Sequence, residues 1–271
     1  FPNTNTSEQA LNIIKNIYNE LGQSDKFLEL IKTVDHDFTK SELDSSTYYS
    51  AELQYMQTNY KTAIQSLNSY LSYYPEGLFI LEANYLLYKS YEYLGDLDKA
   101  LEYLNNLIDD KENKYTIEVV EGLAEISFKL EKYISSERYF EQLLNIADAH
   151  NVKQKAVLGL IESKFNLYNY AEVINSVNEL IKDGFFSGQE NLRIHYMYAY
   201  SLYKNNQIQQ SLEEFNWLIK HSDGVLKAEA FYFKSLILYN SESYIKSKEV
   251  IFQLINELPS YNYWIDQSLL L

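Results

Sequence analysis

The chain has no cysteine among its 271 residues. That excludes a disulfide framework, thiolate metal sites, thiol nucleophiles and redox motifs, and leaves the compartment open. Glycine and proline are scarce, at 8 and 3. A many-stranded sandwich or barrel needs a turn signal every ~8–12 residues, so the shortage favours helices before any pattern is read. No apolar run approaches the ~20 residues that span a bilayer, so no direct membrane span is expected. Basic residues are outnumbered, 23 Lys and Arg against 38 Asp and Glu, for a formal charge of −15. Phosphate backbones would be repelled on average, which argues against nucleic acid as a partner. Aromatic residues are abundant, led by 27 tyrosines, and with 46% hydrophobic residues the chain can bury a sizeable core.

The organising feature is an internal period. An aromatic or aliphatic residue precedes a small one by three in Tyr60…Ala63, Leu97…Ala100, Tyr133…Ser136, Tyr170…Val173, Ile208…Ser211 and Tyr244…Ser247. The second members are 37, 36, 37, 38 and 36 residues apart. Phe27, 36 residues before Ala63, holds the small position of a weaker first copy. Each unit splits into two patterns with apolar spacing of three and four, the second unit into Thr47 to Gln57, a turn at Thr58-Asn59, and Tyr60 to Tyr73. In the third unit Gly95-Asp96 breaks the pair. Small residues at Ala51, Ala124, Ala199 and Ser235 in the first helices, facing those of the second, let the backbones approach closely.

These residues carry a resemblance to a known family. The third unit reads Asn84-x-x-Leu87-Tyr88-x-x-Tyr91-x-x-x-Gly95-Asp96-Leu97-x-x-Ala100-x-x-x-Leu104-x-x-Leu107, and the second Ser50-Ala51…Asn59-Tyr60-x-x-Ala63…Leu67…Tyr70…Pro75. This layout resembles the tetratricopeptide repeat. The resemblance implies an all-α, right-handed superhelical solenoid of stacked antiparallel helix hairpins, with approximate repeats 8–43, 44–80, 81–116, 117–153, 154–191, 192–227 and 228–260. Residues 1–7 then read as the tail of a preceding repeat and 261–271 as a partial eighth. The whole is expected to be one solenoid, a piece of a longer array, and Leu269–Leu271 a sticky end. A dimer through that C-terminal helix would be a consequence of the cut. Tyr88 and Ile161 stand where the family prefers a small residue, Val173 is large for its slot, and the first-helix Trp is missing; locally wider helix spacing is expected there.

No constellation for chemistry emerges. His36, His150, His195 and His221 fall in different units without a metal-ligand spacing. No glycine cluster forms a phosphate loop, and Asp35-His36-Asp37-Phe38-Thr39 lacks the glycine and bidentate glutamate of a calcium loop. Catalytic residues, metals and cofactors are therefore expected to be absent.

The resemblance implies that the first helices line a concave groove for a peptide or partner segment. Groove positions are Tyr48, Glu52 and Tyr55; Glu82, Tyr85, Lys89, Glu92 and Tyr93; Glu118, Glu121, Glu125 and Phe128; Leu158, Glu162 and Phe165; Arg193, Tyr196, Tyr200 and Tyr203; Tyr232 and Tyr239. Tyrosine offers a large rigid face with a polar tip, and the glutamates would steer a neutral or basic partner. The alternative is that these tyrosines fill gaps between repeats. As surface residues their substitution should change stability by no more than ~0.5 kcal/mol. The carboxylate-clamp subset of the family uses Lys and Asn where Tyr85, Glu121 and Leu158 stand, so that mode is not expected. A non-catalytic interaction scaffold follows, with a docking or regulatory arm of a larger enzyme or signalling protein as the alternative. The Tyr-Pro-Glu-Gly unit ends are also similar to bacterial cell-envelope repeat proteins of the TolA-binding and outer-membrane assembly lipoprotein type. That similarity implies a periplasmic or outer-membrane-associated setting, with the cytoplasm as the alternative.

Overall fold

The computed structural model describes residues 5–34, 39–108 and 113–271. Within them the secondary structure is helical throughout: α1 (Asn5–Glu20), α2 (Ser24–Ile31), α3 (Lys40–Met56), α4 (Tyr60–Tyr73), α5 (Ile80–Leu94), α6 (Leu97–Leu107), α7 (Thr116–Lys129), α8 (Tyr133–Ile146), α9 (His150–Asn166), α10 (Tyr170–Lys182), α11 (Gly188–Lys204), α12 (Ile208–His221), α13 (Gly224–Asn240), α14 (Tyr244–Glu257) and α15 (Asn262–Leu269). The second helices start at Tyr60, Leu97, Tyr133, Tyr170, Ile208 and Tyr244, the residues that mark the period in the sequence. The His36 and Asp35-to-Phe38 readings, and positions 1–4 of the N-terminal tail, lie outside the described residues. No helix among those described is long and apolar enough to cross a membrane.

The chain divides into two compact units, Phe1–Glu131 and Lys132–Leu271, with the boundary in the turn between α7 and α8. In the first unit each helix packs on the next, and α1, α3 and α5 also pack side by side. The core joins Tyr48, Ala51, Ala63, Leu67, Tyr70, Ala83 and Leu87. In the second unit α9 lies beside α11 and α13 beside α15, over cores built on Ile161, Val173 and Ile194, on Phe215, Leu218 and Ala230, and on Phe231, Val250 and Leu254.

The small residues do what their spacing predicts. Ala63, Ala100, Ser136, Val173, Ser211 and Ser247 are all buried. Two of the serines are more than spacers: Ser211 Oγ donates to Ala199 O at 2.7 Å and Ser247 Oγ to Ser235 O at 2.8 Å, twelve residues back on the first helix of the same hairpin. Such a bond forms only where two helix backbones nearly touch. Tyr88, bulky for its slot, finds room on the next first helix, where a side chain on Gly122 would come 2.8 Å from the Tyr88 hydroxyl. Buried His195 of α11 stacks on Trp217 of α12 at 3.6 Å, an aromatic contact between the two helices of the sixth hairpin.

The loop after α4 is closed by a buried network. Tyr70 Oη donates to Asp44 Oδ1 at 2.7 Å, Leu78 N donates to Asp44 Oδ2 at 3.0 Å, and Phe79 N donates to Tyr70 Oη at 3.0 Å. Gly77 lies against the same hydroxyl, and a Cβ there would collide with it. The Tyr-Pro-Glu-Gly ending is thereby bound to the preceding helix pair. α3 itself begins seven residues before the expected Thr47, because Thr39 and Glu42 form a reciprocal capping box.

The turns between the paired helices share one form. In the second hairpin Asn59 N donates to Gln54 O and Thr58 N to Tyr55 O, both at 2.9 Å, and the turns after α1, α5, α9, α11 and α13 repeat the pair. This is the Schellman arrangement, which puts one residue in the left-handed region. Glycine supplies it at Gly22 and Gly95; Thr58, Glu131, Tyr168, Asn206 and Glu242 adopt it with side chains. A β-branched residue is the least suited to φ near +62°, the value at Thr58. Thr58→Gly is therefore expected to raise the free energy of unfolding by about 1 kcal/mol, the left-handed strain outweighing the added freedom of the unfolded chain. Urea titration checks this, and a fall in stability would contradict it.

Candidate functional site

The first-helix side chains that the sequence assigns to a groove fall into two roles. Some are inside the protein. Tyr48 is only 3% exposed: its ring stacks on Phe79 at 4.4 Å and its hydroxyl donates to Glu52 at 2.9 Å. Burial first, and then that carboxylate, push its phenol well up. Glu162 is 7% exposed. For these two the expectation of a freely substitutable surface residue is corrected, because the ring or carboxyl is part of the packing.

Others join one repeat to the next. Tyr85 Oη donates to Glu118 Oε2 at 2.6 Å and Tyr196 Oη to Glu229 Oε1 at 2.7 Å, across 33 residues in each case. A tyrosine at or before the middle of a first helix thus reaches a glutamate in the first two turns of the following first helix. Tyr85 also stacks on Tyr115 at 4.1 Å, and Asn240 donates to Tyr203 Oη at 3.1 Å. Tyr200 sits among Phe165, Tyr170, Tyr196 and Phe233, with centroids 5.2 to 6.3 Å away. Gap filling between repeats is therefore a large part of what these tyrosines do. The repeated Tyr-to-Glu spacing was readable in the sequence, but only after each repeat had been numbered from its small residue.

The first unit's face is acidic. Glu52, Glu82, Glu92, Glu118, Glu121 and Glu125 stand against Lys89 and Lys114. Lys114 pairs with Glu82 at 2.7 Å and Lys89 with Glu92 at 3.0 Å. Tyr55 and Phe128 are partly buried, whereas Tyr93 is well exposed and stacks on Tyr60 at 4.6 Å. The second unit's face is aromatic. Beyond Tyr200, Tyr232 lies 5.5 Å from Trp264, Tyr239 lies 5.3 Å from Tyr244, and Leu158 and Phe165 belong to the rim of the core. Among the described residues no group of three or more His, Asp or Glu is placed to hold a metal ion.

Residues 46–77, from within α3 to just past the end of α4, match the tetratricopeptide repeat family model. The fold of the chain is the tetratricopeptide-repeat fold, an all-α array of stacked hairpins. It is similar to MamA (residues 41 to the end) from Desulfovibrio magneticus RS-1, at 11% identity and TM-score 0.54 over 67% of this chain and 96% of that one. It is also similar to PilW, a widely conserved type IV pilus biogenesis factor, at 14% identity and TM-score 0.51 over 84% and 98%. A chain of the Naa15/Naa10 complex bound to HypK-THB aligns with 97% of this chain and 39% of its own length, at 12% identity and TM-score 0.58. No curated protein matches the chain in sequence.

Glu162 has a distinct electrostatic character. Burial pushes its carboxyl up from the ordinary 4.5 to about 7; Arg193 opposes the rise and Glu190 adds to it. Arg193 Nε is 2.7 Å from Glu162 Oε1, yet that oxygen has no well-aligned hydrogen bond. Arg193 is largely exposed, so water screens the attraction and burial prevails.

Two predictions follow from this geometry. The raised carboxyl favours folding when protonated, so its contribution is fully present below pH ~4.5 and lost as the pH rises through about 7. At about 1.4 kcal/mol per pKa unit this amounts to roughly 3 kcal/mol. Glu162→Gln is expected to remove that part of the pH dependence and to be the more stable protein at pH 8; parallel pH profiles for both would refute the assignment. Tyr196→Phe leaves the half-buried Glu229 without its donor and should cost about 1.5–3 kcal/mol. A double-mutant cycle with Glu229→Met, which removes the acceptor, should recover most of that loss as coupling energy, and additive effects would show the bond to be worth nothing.

Proposed function

We propose that this chain is a non-catalytic scaffold for protein-protein contacts, whose first-helix faces take a neutral or basic segment of a partner. The observation that carries the reading is the make-up of the faces. In the first unit six carboxylates stand against two ammonium groups around exposed aromatic surface. Such a face attracts a basic segment and rejects an acidic one. In the second unit the exposed edge of Tyr239 and the partly buried rings of Tyr203 and Tyr232 offer flat apolar contact with polar tips, suited to proline or aromatic side chains. Tyr48 and Glu162 are left out of the contact set because they are buried.

The likeness to PilW supports a setting in bacterial envelope assembly, in the periplasm or at the outer membrane. A second reading, an arm within a larger assembly, is favoured by the match of nearly the whole chain to 39% of a chain in the Naa15/Naa10 complex.

A phage-displayed random-peptide selection tests the scaffold reading. Enriched peptides should be basic or rich in proline and aromatic residues. They should lose about tenfold or more in affinity for Glu121→Lys/Glu125→Lys or for Tyr239→Ser, each with unchanged melting. Selection of acidic peptides, or equal binding to both variants, would remove these faces from consideration.

A further inference from the structure

A recess on the other side of the seventh hairpin is independent of the groove reading. α12, α13 and α14 line an open recess of about 290 Å³. Lys234 and Leu238 line it from α13. Each is offset by two residues, or by six, from Tyr232, which turns them to the opposite side of the helix from the Tyr232 and Tyr239 positions. Lys234 is out of place by composition, a partly buried ammonium between packed helices. Among the described residues it has no carboxylate at ion-pair distance and no hydrogen-bond partner, and the same is true of Lys246 on the cavity's rim. Burial, reinforced by the charge of Lys220, pushes the Lys234 ammonium down. The side-chain amides of Asn216 and Gln253 line the same space and are likewise unengaged among the described residues. A partly buried cation with no carboxylate at ion-pair distance gains from a ligand that supplies one.

We propose that this recess binds a singly charged carboxylate, anchored by Lys234 with Asn216 and Gln253 as further donors, its aliphatic chain resting on Leu212 and Val250. The charge state follows from the other walls. Glu213, which accepts from Gln209 Nε2 at 3.0 Å, and Glu249 also line the recess and would repel a dianion such as phosphate about twice as strongly as a singly charged carboxylate. A free aliphatic acid and the C-terminus of a peptide ending in an aliphatic residue share this head group.

Amide-resolved NMR titration of the full chain distinguishes them, using isovalerate, N-acetyl-Gly-Leu as free acid and as amide, and inorganic phosphate. The expected result is saturable shifts confined to α12–α14 with a carboxylate probe and none with the amide. Affinity should fall about tenfold or more in both Lys234→Gln and Lys234→Met. Both variants should keep their melting temperature, since each removes a desolvated charge. Binding of isovalerate identifies a free acid; binding of the peptide acid alone identifies a chain end. Equal affinity for acid and amide, tighter binding of phosphate, undiminished binding in both variants, or no saturable shift from any probe up to about 50 mM would overturn the assignment.

Discussion

The structure depends on how closely the two helices of a hairpin approach. Large apolar side chains elsewhere supply the burial, but they can interlock only if the backbones meet at one point per repeat. That point is the fourth residue of the second helix, held within the two units by Ala63, Ala100, Val173, Ser211 and Ser247, all buried. Where it is serine, at positions 211 and 247, its hydroxyl goes to a main-chain carbonyl of the partner helix; the corresponding Ser136 instead meets the hydroxyl of Ser163 on the next helix, α9, at 3.1 Å. A polar atom at the closest point is tolerated because it is satisfied there. Exceptions are absorbed by neighbours: Tyr88 is accommodated by Gly122, and Gly159 faces the ring of Phe140 with no room for a Cβ.

The first-helix faces then acquire their character from what stacking demands. A tyrosine that must bridge to the next repeat, as Tyr85 and Tyr196 do, spends its hydroxyl on a glutamate and keeps part of its ring outside. The same residues thus serve packing and surface chemistry together. This also explains why carboxylates on the faces are so unequal: Glu118 is exposed and accepts from Tyr85, whereas Glu162 is buried and its carboxyl is pushed up to about 7. A charge pattern read from the sequence treats the two alike, but solvation separates them.

The fold was legible because its signal is periodic. Tyr60, Leu97, Tyr133, Tyr170, Ile208 and Tyr244 were marked by spacing alone and each begins a helix. Turn chemistry was not legible: Thr58, Glu131, Tyr168 and Glu242 adopt left-handed geometry that nothing in their side chains favours, because the packed helices on both sides force it. The site was half legible. Helical periodicity groups residues on one side of each first helix, whereas their exposure depends on the neighbouring repeat, as Tyr48 under Phe79 and Glu162 beside Arg193 show. The stack of His195 between Glu214, 2.7 Å away, and Trp217 left no trace in local spacing, since its members come from two helices.

Hydrogen exchange on Ala100→Leu measures the dependence on close approach most directly. Ala100 is fully buried against the α5 backbone layer, and a leucine there has no cavity to enter. The account predicts that amides of α5 and α6 lose protection and that unfolding becomes easier by about 3 kcal/mol. Unchanged protection across α5 and α6, with an unchanged denaturation midpoint, would contradict it.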